Sequence, residues 1–119
     1  MRFTLALAGL GLMVALGAAP AAPAARARGL SLEQIRDVMR RHAAGFQRCL
    51  SAATRTRRDL HGPFLFQLEV DAHGQVTSAR PFQASPVAAF DRCVVAILRR
   101  ARFPGGPATF ETPLVFDPR

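Results

Sequence analysis

A run of twelve apolar residues, Leu5 to Leu16, stands behind Arg2 and ahead of small residues from Gly17 to Ala27. This feature constrains the chain most, because it decides both the compartment and how much polypeptide is left to fold. The order of charged, apolar and small residues is that of a secretory signal peptide. The run is too short for a membrane span, which takes ~20 residues, and Pro20 and Pro23 make its extension a poor helix. Residues 1–24 are therefore expected to be removed, with a cleavage window of 18–27. An uncleaved segment anchoring the chain is the alternative. Cleavage leaves no stable membrane span and delivers the protein to the periplasm or beyond the cell. The folded part is one domain over residues 29–117. A chain this short buries a small core and gains from a covalent staple. Its size excludes a two-domain enzyme, a dinucleotide-binding fold and a closed barrel.

The chain carries sixteen basic residues, all arginine, against eight acidic ones, for a net charge of +8. Arginine without lysine, alongside abundant Ala, Gly and Pro, reads as GC-rich codon usage before it reads as a ligand site. At 50% hydrophobic and 20% charged residues the composition is that of a globular protein.

Ser31 and Gln34 form the capping-box pattern S-x-x-Q, and Leu30 and Ile35 stand where a hydrophobic staple places its pair. From there Ile35, Val38, Met39, His42, Phe46, Cys49, Leu50 and Ala53 recur at helical spacing. They predict one helix from Ser31 to about Thr54. After a polar connection, Phe64 to Val70 alternates with Phe64, Phe66, Leu68 and Val70 on one face. Asp71-Ala72-His73-Gly74 is a turn, with Gly74 suited to a positive φ. Val76 to Phe82 returns as a partner strand, and the broken alternation at Val76 and Ala79 predicts a bulge. Ser85 and Pro86 suit the cap and first position of a second helix reaching about Arg102. Phe110 to Phe116 forms a last strand. The expected fold is α+β, in the order α-β-β-α-β, with a three-stranded antiparallel sheet covered by two helices.

Cys49 lies on the apolar stripe of the first helix, and Cys93 on the inner face of the second. Two inward thiols on neighbouring helices in an oxidising compartment are expected to pair. Closing a loop of that length is worth ~4 kcal/mol in the chain-entropy model. A catalytic thiol fits poorly. His42 precedes Cys49 by seven residues, a rise of ~10.5 Å, whereas a base must come within ~3 Å of its nucleophile. His42, His61 and His73 fall on a helix, a loop and a turn without zinc-ligand spacing. No metal and no cofactor is expected.

Several motifs then run in order: Gly29-Leu-Ser-x-Glu-x-Ile-Arg, His42, Cys49, Gly74-Gln75-Val76, Phe90-Asp91-Arg92-Cys93, Arg102-Phe103-Pro104 and Pro113-Leu-Val-Phe116. The ordered set resembles the C-terminal domain of the AgmX/PglI family, found in proteins implicated in myxobacterial gliding motility. That family is itself similar to the TonB C-terminal domain. The resemblance covers Gly29 to Phe116 and implies a TonB-like fold. It also implies a non-catalytic envelope protein that meets a protein partner, with a link to gliding or envelope transport machinery.

Two binding modes are expected. Pro113 cannot donate to a ladder, which suits Phe110 to Phe116 to an edge strand. A partner from the envelope would add its own strand there, at Phe110, Glu111, Thr112, Pro113, Leu114 and Val115. The alternative is an anionic surface polymer held by two arginine clusters, Arg55, Arg57 and Arg58, and Arg99, Arg100 and Arg102. No aromatics interleave these arginines to stack bases, so nucleic acid is not expected as a partner. The scattered carboxylates Asp59, Glu69, Asp71 and Asp91 form no acid–base pair, and no phosphate loop or nucleophile motif occurs. The chain is therefore not expected to be an enzyme.

Overall fold

A computed structural model describes residues 29–114 and 116 of the chain. The signal segment, its cleavage window, Val115 and the end of the expected domain at 117 lie outside the described residues.

The capping box forms as its residue types require. The Gln34 N–H donates to the Ser31 hydroxyl at 3.1 Å, and the Ser31 N–H donates to the Gln34 side chain at 2.9 Å. They open α1, Leu32–Arg41, and α2 follows as Ala43–Thr54. One helix was expected here, and the chain breaks it at His42. There φ is −103° and ψ is 6°, outside helical geometry, and the His42 N–H turns back to the Met39 carbonyl. The apolar stripe keeps its phase across the break, so periodicity does not reveal it. A Cβ at Gly45 would stand 3.0 Å from Ile97 Cδ1, so α2 packs tightly against the next helix at this glycine.

The strands are β1, Phe64–Val70, β2, Val76–Pro81, and β3, Ala108–Leu114; α3, Ala88–Arg100, lies between the last two. The sheet is antiparallel with β1 at its centre, in the order β2-β1-β3. Phe64, Phe66, Leu68 and Val70 are buried on one face of β1, following the expected alternation. The expected bulge is present: Glu69 pairs with Ser78, but Val70 pairs with Val76, leaving Thr77 as the extra residue on β2. Gly74 has φ +83°, and a Cβ there would collide with the Phe103 carbonyl oxygen. The Phe103 N–H donates to the Gly74 carbonyl at 2.9 Å. The turn is thereby fastened to the segment after α3.

The helices close over the buried face of the sheet. Val38, Phe66, Leu68, Phe90, Val94 and Leu98 are almost completely inaccessible. Rings of Phe64 and Phe90 pack at 4.7 Å, with Phe116 against both. Each such side chain contributes ~1.5–3 kcal/mol on burial.

Three expectations shift. The last helix begins two residues after Pro86, with Val87 at the cap position. Ser85 instead closes a local turn, its hydroxyl accepting from the Val87 N–H, while the buried Asp91 carboxylate takes the Ser85 N–H at 2.9 Å. The same helix ends at Arg100, and Arg102 bridges to Gln75. The last strand starts at Ala108 rather than Phe110.

Cys49 and Cys93 are joined by a disulfide, with Cα atoms 5.8 Å apart. Cys49 is 2% exposed, but Cys93 is exposed to solvent. Cys93 thus sits on the flank of α3 rather than its inner face, which Phe90, Val94 and Leu98 occupy. Gly45 stands against Ile97 and Cys49 is bonded to Cys93, so α2 and α3 run antiparallel.

Candidate functional site

The candidate site lies along β3, the edge strand that begins the sheet on one side. The Leu65 carbonyl accepts the Phe82 N–H at 2.8 Å. In an antiparallel ladder this turns the peptide groups of Leu65, Gln67 and Glu69 toward β2. Those of Phe64, Phe66, Leu68 and Val70 face β3, opposite Leu114, Thr112, Phe110 and Ala108. The intervening residues Thr109, Glu111 and Pro113 therefore direct their peptide groups away from the sheet. Pro113 has no N–H to offer, so Thr109 and Glu111 are the outward donors. Their carbonyls, with that of Pro113, are the outward acceptors. The other edge is blunted in the same way, since Pro81 stands opposite Phe66 in a non-hydrogen-bonded position.

A groove of about 430 Å³ runs between α1 and the second half of β3. Leu32, Ile35, Met39, Phe46, Pro113 and Leu114 give it apolar walls, and Arg36, Arg40 and Glu111 border it. Leu32 is 60% exposed. Thr112, at 5% exposure, lies in the same groove. On α1, Asp37 accepts from Arg40 at 3.2 Å and Arg41 at 3.1 Å. Arg41 above all holds its carboxyl below the usual 3.8. Arg36 has no ion-pair partner among the described residues.

The sheet face turned away from the helices is open. Across it Arg80 donates to Gln67 at 3.0 Å, and Gln67 donates to Glu111 at 3.3 Å. The adjoining row holds Phe82, Leu65 and Pro113 in register, with Phe82 56% exposed. A strand laid beside β3 would run along the groove that Glu111, Thr112, Pro113 and Leu114 line.

Comparison with protein-family models, curated proteins and solved structures gives no match. The site must be read from its own residues.

Phe110, Glu111, Thr112, Pro113 and Leu114 are together on the edge strand, and Val115 lies outside the described residues. Thr109, whose peptide group also points outward, belongs to the same strand. The sequence-based set does not include the α1 wall, since nothing in a periodic stripe tells which apolar residues stand clear of the core. The two arginine clusters are not brought together. The antiparallel pairing of α2 and α3 puts Arg55, Arg57 and Arg58 beyond one end of the pair and Arg99, Arg100 and Arg102 at the other. Arg57 is engaged by Asp59 at 3.0 Å. Among the described residues no group of three or more His, Cys, Asp or Glu side chains is placed to hold a metal. No helix there is long and apolar enough to cross a membrane.

Proposed function

We propose that this is an exported, non-catalytic interaction module of the cell envelope that takes an extended segment of a partner protein onto β3. The observation that carries the reading is the outward direction of the Thr109 and Glu111 peptide groups on an edge strand beside an apolar groove. Strand addition needs both parts: main-chain groups to supply affinity and a pocket for alternate side chains to supply specificity. The Cys49–Cys93 disulfide supports an oxidising compartment, as does the signal-like segment from Arg2 to Ala24. Resemblance to the AgmX/PglI C-terminal domain, and through it to a TonB-like fold, would place the partner in gliding or transport machinery.

Glu111→Pro tests the reading, because it removes an outward donor while leaving the bonds from Phe110 and Thr112 to β1 in place. The variant should fold, by circular dichroism, yet lose the envelope partner retained by the wild-type domain. A folded variant that still captures that partner at wild-type affinity would refute the docking site.

A further inference from the structure

We infer that the cleft at the end of α3 is a separate oxyanion site for a ligand bearing phosphate groups. The cleft has a volume of about 360 Å³ and is bordered by Arg99, Arg100 and Arg102, together with Gln75 and Thr77. It shares no residue with the groove beside β3.

The helix explains only part of this cluster. Arg99 and Arg100 lie in the last turn of α3, where the helix dipole favours cations. Arg102 lies beyond the helix and is placed by tertiary structure. Its backbone bridges to Gln75, and the next residue, Phe103, is bonded to Gly74. Arg99, Arg100 and Arg102 thereby border one cleft with Gln75 and Thr77, which come from a segment distant in sequence. Like charges gathered at one cleft repel, and among the described residues none of the three arginines has an ion-pair partner. The ion pairs among the described residues belong to Asp37 and Asp59. The Arg102 charge does reach Asp71 and helps hold its carboxyl below the usual value, but one of the Asp71 oxygens accepts the His73 and Gln75 N–H groups, at 2.8 and 3.0 Å. The cleft is thus lined by three arginines and the Gln75 amide, while the Thr77 hydroxyl donates to the Glu69 carbonyl at 3.2 Å. Guanidinium matches the paired oxygens of phosphate in a bidentate manner, and several forks at one site suit an anion carrying more than one charge.

Inorganic pyrophosphate is the probe, titrated calorimetrically at low ionic strength into the full chain produced in an oxidising host. Arg99→Gln/Arg100→Gln/Arg102→Gln is compared with Arg55→Gln/Arg57→Gln/Arg58→Gln, which removes the same charge at the other end of the helix pair. Saturable binding is expected in the wild type and the second variant, and a loss of at least ~10-fold in the first. Absence of saturable binding in the wild type, or equal loss in both variants, overturns the site. Should the first variant fold poorly, Arg102→Gln alone repeats the comparison, because its bridge to Gln75 is made by the backbone. Phosphatidylcholine vesicles containing phosphatidic acid identify the source. Vesicle binding that pyrophosphate displaces supports a lipid headgroup, whereas pyrophosphate binding without vesicle binding supports a soluble phosphate compound.

Discussion

At the scale of single residues, Gly74 has the most to lose by substitution. Its φ of +83° is costly for any L side chain, and a Cβ would strike the Phe103 carbonyl oxygen. Gly74→Ala should destabilise the domain by at least ~2 kcal/mol in denaturant unfolding, combining left-handed strain with a backbone collision. Wild-type stability would mean that the hairpin and the segment after α3 are not in contact. Three residues earlier, Asp71 shapes the same turn. The Gln75 N–H above all, and then that of His73, hold its carboxyl below the ordinary 3.8, against a desolvation that raises it. A depressed carboxyl contributes stability above its unfolded pKa and loses it as pH falls through the folded value. Asp71→Asn should therefore flatten the acid limb of the stability profile below about pH 4. An unchanged acid limb would contradict this role. Such detail was partly legible in the sequence: the capping box at Ser31 and Gln34 and the glycine at 74 have chemistry contained in a few adjacent residues. Ser85 misled because it has the right residue type for a cap, while Asp91, six residues on, settles where the helix begins.

At the scale of elements, β3 makes a contrast between neighbouring positions. Thr112 faces β1 and Glu111 faces outward, so proline should be tolerated at 111 and harmful at 112. Thr112→Pro would leave a buried carbonyl of β1 without its donor and cost about 1–3 kcal/mol, whereas Glu111→Pro should cost clearly less. Thermal unfolding of the two variants decides between these parities, and the reverse order would mean that the ladder is out of phase. The strand itself was legible from alternation, and its edge position from Pro113. Its outward direction was not, because parity depends on which neighbour Leu65 bonds. The break at His42 was equally hidden, since a helix can bend without shifting its apolar stripe.

At the scale of the whole molecule, a small core is held by one covalent link between antiparallel helices. Cys49→Ser should cost roughly 2–5 kcal/mol, the range for native disulfides in small secreted domains. Thiol labelling of denatured, unreduced wild-type protein should find no free cysteine, and two labelled cysteines per chain would refute the link. The pairing was legible in the sequence from the two helical faces, although Cys93 proved to be on a flank. The wider architecture places two surfaces apart: an edge with donors and a groove, and an arginine-lined cleft. The separation of the arginine clusters could not be read from their sequence positions, because it follows from how α2 and α3 pack.

Residue-resolved amide hydrogen exchange tests the edge most directly. In the free protein, Phe110 and Thr112 should be protected by β1, while Thr109 and Glu111 exchange rapidly. On binding the envelope partner, Thr109 and Glu111 should become protected as a new strand pairs with them. Protection of Thr109 and Glu111 in the free monomer, or no change in their exchange when the partner is bound, would contradict docking at β3.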